Sequence, residues 1–407
     1  LPMQDEIFPD KEHFGRIFRN NAQMSAKGIT QIAAVMGACV AGGAYLPIMS
    51  DETLMVTGNG SIFLAGSYLV KAAIGEDIDN ETLGGAVTHT EISGIADYKF
   101  DTEHQCLDHI KKIISKIGHQ PTAGFDRGQA YLPVNEVSTL YQAMPMNNAK
   151  PYDVRTIIDA VVDADPTTNT SSFDEFKADY GKTIVCGYAR VDGWAVGIVA
   201  NQRMIVKSKK GEMQMGGVIY NDSADKAARF ILNCNQKRIP LVFLQDVTGF
   251  MVGSRSEHSG IIKDGAKLVN AVANSVVPKI TIITGNSFGA GNYAMCGKAY
   301  DPRFIYAWPS AKIAVMGGEQ AAKTLLQIQV AALKAKGETI DATTEKNLLD
   351  TIKQKYEQQM SPYYAAARLW VDEIIDPADT RNRISKAIEA ANHNATIPEL
   401  KTGVFQV

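Results

Sequence analysis

The sequence predicts an α/β protein built from two halves of the same design, and three observations support that prediction. The pattern Gly37-Ala-Cys-Val-Ala-Gly-Gly-Ala-Tyr45 recurs 248 residues later as Gly285-Asn-Ser-Phe-Gly-Ala-Gly-Asn-Tyr293. Each copy follows a short apolar run, at residues 32–36 and 280–284, which predicts a buried strand leading into a helix. The second half also alternates strand and helix patterns, which is typical of parallel βαβ units. Self-similarity at one offset indicates an internal duplication.

Composition places the chain among ordinary globular proteins. Its 407 residues are 45% hydrophobic and 21% charged, enough for two domains with substantial cores. A net charge of -3 gives no sign of a surface for nucleic acid or another polyanion. We recognise no signal peptide and no apolar run long enough to cross a bilayer. The five cysteines lack a CxxC pair, which predicts reduced thiols in an intracellular protein.

The second half begins with the signature of a β-hairpin. Two β-rich runs, at residues 183–191 and 194–201, flank Asp192-Gly193, which is a strong signal for a two-residue turn.

Helices and strands then alternate. We expect a helix over residues 224–236, with Asp222 or Ser223 as its N-cap. Residues 241–244 and 280–283 are predicted as short buried strands. Between these strands, one predicted helix face consists of Ile262, Ala266, Val269, Ala273 and Val276. The order β-β-α-β-α-β-α predicts parallel strands joined by right-handed crossovers.

The first half repeats only the later part of this series. A helix through Phe14 and Phe18 precedes the strand at residues 31–36 and the glycine turn. At the same offset Leu1 falls opposite Gly249, so we expect the first half to lack its own hairpin, first helix and first strand, roughly 65 residues. The chain is thus interpreted as beginning inside a domain. The expected organisation is an N-terminal domain (1–120), a linker (121–150) and a C-terminal domain (151–407).

Several strings resemble the carboxyltransferase (beta) subunit of biotin-dependent acyl-CoA carboxylases. They are residues 253–267, the turn Gly289-Ala290-Gly291, Met295-Cys-Gly-Lys-Ala-Tyr-Asp-Pro-Arg303 and Val315-Met-Gly-Gly-Glu-Gln-Ala-Ala322. Within that family, Gly249-Phe-Met-Val-Gly253, the Met-Gly-Gly-Glu-Gln-Ala-Ala string and Ile375-Asp-Pro-Ala-Asp-Thr-Arg381 are most similar to the 3-methylcrotonyl-CoA carboxylase beta subunit. The resemblance extends over nearly the whole chain.

The resemblance implies two crotonase-like (ClpP/crotonase) ββα-superhelix domains, the first of them incomplete in this chain. It also implies a hexamer in which each active site is shared between the N-terminal half of one subunit and the C-terminal half of another. The family's further N-terminal segment, with a glycine-rich arginine motif, would lie just before Leu1 and would complete the acyl-CoA site.

Each glycine turn predicts a site for a negatively charged oxygen, because N–H groups at a helix N-terminus have no partner within the helix. Carboxylation at a carbon conjugated to a thioester passes through an enolate, and we expect the N–H groups of Gly42 and Gly43 to stabilise its oxygen. The resemblance assigns the ureido oxygen of biotin to Ala290 and Gly291. The freed biotin nitrogen would then take the substrate proton, so no side chain is expected to serve as the base. The alternative for both turns is glycine needed for packing alone.

Further candidates surround the turns. The candidate substrate-binding residues are Ala41, Ala44, Gly66, Lys71, Phe250 and Tyr293. The candidates for contact with biotin are Phe288, Gly289, Gly317 and Gly318. Each has an ordinary alternative: Lys71 meets a CoA phosphate or is simply solvated, the aromatic residues line an acyl pocket or belong to the core, and the glycines cap a helix.

Other interpretations stay open. Gly285-Asn-Ser287-Phe-Gly289 fits the G-x-S-x-G elbow of α/β-hydrolases, with Asp372 or Asp376 and then His393 in the required order. In the first copy of the pattern, Cys39 stands at the position of the serine and Ala41 at the position of the last glycine. The duplicated feature is therefore not the hydrolase elbow. A scaffold subunit that binds acyl-CoA without transfer is a non-enzymatic alternative. For a carboxyltransferase, the expected acceptor is 3-methylcrotonyl-CoA at its γ carbon, as in leucine degradation, with geranyl-CoA or another acyl-CoA as the alternative.

Cofactors are expected on partner subunits. The chain has neither a GxxxxGK[ST] loop for ATP nor a Met-Lys-Met string for biotin attachment. We therefore expect biotin on a carrier and ATP only on a biotin carboxylase, with this chain as the homohexameric core of a heterododecamer. The histidines show no metal-ligand spacing, and no metal is expected. The expected compartment is the bacterial cytoplasm, or the mitochondrial matrix for a eukaryotic source.

Overall fold

The computed structural model describes residues 7–143, 151–208, 211–335 and 341–405. The chain divides into two compact units, Leu1–His119 and Gln120–Val407. The start of the chain at Leu1 and the last part of the predicted linker, residues 144–150, lie outside the described residues. The described part of that linker belongs to the second unit, where the Ala123 N–H donates to the carbonyl oxygen of Asn392 at 2.7 Å.

The first unit contains short parallel sheets covered by helices. Its α-helices are Gly15–Ala26 (α1), Gly42–Ile48 (α2), Ser67–Ile74 (α3), Asn80–Gly84 (α4) and Glu103–Ile114 (α5), and Thr88–Ile92 is a π-helix. Its strands are Ile32–Val35 (β1), Ala38–Val40 (β2), Glu52–Val56 (β3), Ser61–Phe63 (β4) and Tyr98–Phe100 (β5). Strands β1, β3 and β5 form one parallel sheet, and β2 pairs in parallel with β4. The glycine turn connects β2 to α2.

The second unit is larger and has the predicted alternation. Its strands are Asp174–Phe176 (β6), Ile184–Val191 (β7), Trp194–Asn201 (β8), Val206–Lys207 (β9), Met213–Gln214 (β10), Val218–Ile219 (β11), Leu241–Val247 (β12), Gly249–Phe250 (β13), Lys279–Phe288 (β14), Phe304–Ala307 (β15), Lys312–Ala314 (β16) and Glu373–Ile374 (β17). Its α-helices are Ser138–Ala143 (α6), Val154–Val161 (α7), Asn221–Gln236 (α8), Ser254–His258 (α9), Ile261–Asn274 (α10), Gly289–Ala294 (α11), Gly318–Ala335 (α12), Ala342–Met360 (α13), Pro362–Ala366 (α14) and Thr380–Asn392 (α15).

The main sheet of the second unit positions the second glycine turn. Its strand order is β17-β15-β14-β12-β8-β7-β6, with β16 paired to the end of β14. The pairs from β8 to β17 are parallel, whereas β6, β7 and β8 are antiparallel. The central strands β12 and β14 are buried along their whole length, as expected for strands covered on both faces. The predicted α/β class is therefore confirmed.

The hairpin prediction is also confirmed. Val191 pairs with Trp194 across the turn between β7 and β8. Asp192 and Gly193 have φ of 52° and 80°, the positive values that a tight two-residue turn requires.

Two predictions about helices were wrong in detail. Helix α8 begins at Asn221, before both predicted caps, and the Ser223 hydroxyl accepts the N–H of Tyr220 from within the first turn at 2.9 Å. In α10 the buried face includes Ile261, Leu268 and Val272, whereas Ile262 is 73% exposed. The predicted face through Ile262 and the observed face through Ile261 both have helical spacing. Packing of α10 against α8 determines which face is buried.

Within the described ranges, no helix combines the length and the apolar character needed to cross a membrane.

Candidate active site

The second glycine turn lies where β14 passes into α11. Gly289 has a φ of 54°, and the N–H groups of Ala290 and Gly291 belong to the first turn of the helix, where no carbonyl of the helix itself can accept them. Gly291 is buried, and a Cβ there would lie 2.6 Å from the side chain of Val247. Ala290 is exposed. Ala290 thus lies at the surface, and close packing around Gly291 fixes the turn beneath it.

A cavity of about 680 Å³ opens beside this turn. Its walls are mostly aliphatic and aromatic, and they come from the turn, from β15 and β16, and from the C-terminal helices. The lining residues include Gly289, Ala290, Tyr293, Val315, Tyr356 and Trp370. Tyr293, a predicted substrate contact, is 48% exposed and lies on this wall. A cavity of this size and character suits a small ligand with an apolar body and a few polar groups.

Ser287 has a structural partner. It is fully buried, and its Oγ accepts a hydrogen bond from Asn292 Nδ2 at 2.7 Å. Gln245 Nε2 in turn donates to the backbone oxygens of Asn292 and Met295 at 3.2 and 3.0 Å. Among the residues that the structure describes, no histidine hydrogen-bonds to Ser287. The Ser287 hydroxyl therefore braces the turn, which contradicts the hydrolase interpretation.

The first glycine turn has a similar backbone. Ala41 precedes α2 with a φ of 53°, and Gly42 and Gly43 begin the helix. A Cβ at Gly43 would meet nothing within 4 Å, so the space in front of this amide is open. Ala44, predicted as a substrate contact, has its side chain buried in the core, and its N–H donates to the carbonyl oxygen of Ala41 at 3.1 Å.

The remaining predicted residues take mixed positions. Phe288 is buried, and a Cβ at Gly317 would lie 3.7 Å from its ring. Gly318 begins α12. Phe250 packs against the core, with its ring 2.9 Å from the position of a Cβ on Gly265.

Two further candidates lie in the first unit. Gly66 caps α3. Lys71 is exposed and pairs with Asp77 at 2.7 Å, which is the arrangement of a solvated lysine.

Comparison with known proteins identifies the family. Residues 2–405 match the family described as the carboxyl transferase domain. The chain belongs to the carboxyl transferase family. The resemblance inferred from the sequence strings is therefore confirmed, and the chain is a carboxyltransferase.

Relatives and solved structures agree with this assignment. The chain is 47% identical to the biotin-dependent 3-methylcrotonyl-coenzyme A carboxylase beta1 subunit of Mycobacterium tuberculosis, covering 100% of this chain and 73% of that protein. It is also 47% identical to the mitochondrial methylcrotonoyl-CoA carboxylase beta chain of Arabidopsis thaliana, covering 100% of this chain and 67% of that protein. The structure is similar to the beta subunit of geranyl-CoA carboxylase from P. aeruginosa, with a TM-score of 0.77, 37% identity, and 97% and 70% of the two chains covered. It is also similar to the hexameric transcarboxylase 12S, with a TM-score of 0.57, 34% identity, and 97% and 71% covered.

The polar residues that hold the second turn of this carboxyltransferase were not among the predicted site residues. Asp246 lies at the end of β12 and is almost fully buried beside Arg203, with Nε 3.2 Å from Oδ2. Burial raises the pKa of the Asp246 carboxyl, and the Arg203 guanidinium offsets part of that rise. Burial also raises the pKa of the Tyr152 phenol well above its usual value, so Tyr152 stays a donor. A carboxylate two residues after the predicted apolar strand at residues 241–244 was the available signal.

Tyr356 of α13 was missed for a different reason. Its hydroxyl accepts the N–H of Met316 at 3.3 Å, next to the second glycine element. A Cβ on Gly289 would in turn lie 2.9 Å from the carbonyl oxygen of Val315. Helix α13 therefore forms and fixes one wall of the cavity. No local sequence pattern could predict this contact.

Proposed function

We propose that this chain is the carboxyltransferase component of an acyl-CoA carboxylase and that its acceptor is 3-methylcrotonyl-CoA, carboxylated at the γ carbon. The observation that supports this most strongly is the duplicated turn, because each copy has a residue with a φ of 53° or 54° where its helix begins, and the first N–H groups of a helix have no acceptor within that helix. The two relatives named for 3-methylcrotonyl-CoA and methylcrotonoyl-CoA share 47% of their aligned residues with this chain and support the choice of acceptor.

In this proposal the two turns stabilise two oxygens. The N–H groups of Gly42 and Gly43 hold the thioester oxygen, on which negative charge collects when the γ proton leaves. Those of Ala290 and Gly291 hold the ureido oxygen of biotin, whose ring system the apolar cavity beside them fits. When bound, carboxybiotin supplies the carboxyl group and a nitrogen that accepts the proton. A preorganised donor of this kind is worth about 3–4 kcal/mol in the transition state.

The proposal requires partner subunits. Biotin would be attached to a carrier, and ATP would be used only by the partner biotin carboxylase. The chain would form the homohexameric core of a heterododecamer, with each active site shared between the N-terminal half of one subunit and the C-terminal half of another. The hexamer assembly of transcarboxylase 12S supports the hexameric core. The protein would act in the cytoplasm of a bacterium or in the mitochondrial matrix of a eukaryote.

Geranyl-CoA is the second candidate acceptor. The structural similarity to a geranyl-CoA carboxylase beta subunit favours it, and a longer prenyl chain needs only a deeper acyl pocket.

A competition assay with the reconstituted holoenzyme tests the acceptor. Equal concentrations of 3-methylcrotonyl-CoA and geranyl-CoA should yield mainly the carboxylated methylcrotonyl product. A preference for geranyl-CoA would contradict the proposed acceptor and favour geranyl-CoA in its place. Binding of acyl-CoA without any carboxylation would favour the scaffold alternative.

The donor role of the second turn is tested by Ala290→Pro. Proline removes one N–H that has no acceptor within the helix, and far-UV circular dichroism of the variant checks that the fold persists. Carboxyl transfer should fall on the order of 100-fold. Full transferase activity in this variant would contradict the assigned role.

A further inference from the structure

The pairing of β12 with β14 is irregular just before the second turn. Gln245 pairs with Ile283, yet Val247 pairs with Ser287, so Asp246 alone faces residues 284–286. A bulge bends its strand and redirects the residues that follow it. The residues that follow here are Phe288 and the turn at Gly289.

The Asp246 carboxylate fills this bulge. It is 4% exposed. Its Oδ1 accepts the N–H of Asn286 at 2.8 Å, and its Oδ2 accepts the Tyr152 hydroxyl at 3.0 Å. The side chain thereby accepts a backbone N–H of the bulge. A buried carboxylate with these partners and an adjacent guanidinium is rigid, because each partner lost would leave a buried polar group unsatisfied.

Gly285 makes this arrangement possible. A Cβ at that position would lie 2.5 Å from Asp246 Cγ, closer than atoms can approach. The carboxylate therefore occupies the volume that any other residue at position 285 would need, so the duplicated pattern begins with a glycine here for a reason of packing.

We propose that Asp246 is a positioning residue: its carboxylate, held by Arg203 and Tyr152, sets the direction in which Ala290 and Gly291 present their N–H groups. This inference rests on the proposed function of the second turn. Asp246 touches no substrate in this account. It acts on the reaction through Asn286 and the end of β14.

Tyr152→Phe is the mildest test, because it removes one hydrogen bond to Asp246 and leaves the ring in place. Tyr141→Phe is the matched control, since the Tyr141 hydroxyl donates to another carboxylate, Asp376, at an exposed site. In the holoenzyme, Tyr152→Phe should lower kcat about threefold to tenfold while KM for acyl-CoA stays unchanged. Tyr141→Phe should change neither. Amide hydrogen exchange of the peptide spanning residues 284–292 should be faster only in Tyr152→Phe.

Asp246→Asn and Asp246→Ala extend the series. The amide oxygen of asparagine can still accept the Asn286 N–H, whereas alanine cannot, so loss of kcat and faster exchange should both increase from Asn to Ala. Unchanged exchange and a kcat within twofold of the unmodified enzyme in Tyr152→Phe and Asp246→Asn would overturn the inference, as would parallel changes in kcat and in KM for acyl-CoA.

Ala290→Pro separates this inference from the proposed function. If Ala290→Pro is inactive while the Asp246 variants are fully active, only the positioning role is refuted. If Ala290→Pro is fully active, both are refuted.

Discussion

Ala41 and Gly289 occupy equivalent positions of the duplicated pattern, 248 residues apart, and both have a positive φ, of 53° and 54°. Only glycine adopts positive φ without strain, so the first turn holds an alanine in a conformation that costs on the order of 1 kcal/mol or more. The backbone of the turn is thus retained in both halves even where the residue is unfavourable. Retention of strain of this kind is typical of functional sites.

Exchanging the two residue types tests this strain. Gly289→Ala should destabilise the protein by about 1–3 kcal/mol, because it adds the strain and brings a Cβ within 2.9 Å of the Val315 carbonyl oxygen. Ala41→Gly should be neutral or stabilising by up to about 1 kcal/mol, because relief of strain exceeds or balances the added flexibility of the unfolded chain. Urea denaturation of both variants measures the difference. Equal losses of stability in the two variants would contradict the account.

Gly43→Ala separates function from stability. A Cβ at Gly43 meets no atom within 4 Å, and alanine is favoured over glycine in a helix by about 1 kcal/mol, so stability should hold or rise. The methyl group would nevertheless occupy the space through which the thioester oxygen reaches the amides. Carboxyl transfer should therefore fall about fivefold to thirtyfold, as about 1–2 kcal/mol of transition-state binding is lost. Gly37→Ala, which is equally open, is the control and should retain activity, and similar rates for the two variants would argue against this site.

The parts of the fold that local chemistry determines could be predicted from the sequence. The dipeptide Asp192-Gly193 strongly favours a tight two-residue turn. The alternation of buried strands with helices is typical of the α/β fold class. The two turns were found because one glycine pattern is duplicated.

The parts that depend on distant contacts could not be predicted. The helix faces that contain Ile261 and Ile262 have equally good helical spacing, and only packing in the folded chain shows that Ile261 is the buried residue. Asp246 meets Tyr152, which is 94 residues away in the sequence, and Tyr356 of α13 meets Met316, which is 40 residues away. Such pairs leave no periodicity in the sequence, so the support of the second turn became visible only in the folded chain.

Lys226 gives a prediction about stability and pH. Its side chain is fully buried in α8, Nζ lies 4.0 Å from Glu175 Oε1, and within the described ranges Nζ makes no hydrogen bond. Arg155 already binds the Glu175 carboxylate through two bonds of 2.8 and 2.9 Å. Lys226→Met should therefore be neutral or stabilising, by up to about 2 kcal/mol at pH 7. Lys267→Met, which strips Asp264 of an ion pair at 2.8 Å, should be destabilising and serves as the contrast.

Lys226 also gives the free energy of unfolding a pH dependence whose sign can be stated. Burial lowers the pKa of Lys226 from its ordinary value of 10.5, so between the two values the unfolded chain binds more protons than the folded one. The free energy of unfolding contributed by this group must then rise with pH up to 10.5. Urea denaturation from pH 7 to pH 10 should show that rise in the unmodified protein and a flatter curve in Lys226→Met. A steeper rise in the variant would refute the assignment.

Thiol labelling tests the environments of the five cysteines. All are free, and Cys39 is the one that is only half-buried, whereas the others are buried. Burial raises the pKa of Cys186 to about 12 and that of Cys296 to about 11, and it also raises the pKa of Cys39. Because the thiolate is the reactive form, dithionitrobenzoate at pH 8 should label one thiol per native chain slowly, and five after denaturation.

The rate of this native labelling should increase with pH, about tenfold per unit while the pH stays below the thiol pKa. The control is Cys39→Ser, in which native labelling should disappear while the denatured protein still shows four thiols. Since Cys39 stands in the first turn where Ser287 stands in the second, labelling at Cys39 also reports whether that turn is accessible. Rapid labelling of two or more thiols, or native labelling that persists in Cys39→Ser, would show that the buried positions open in solution.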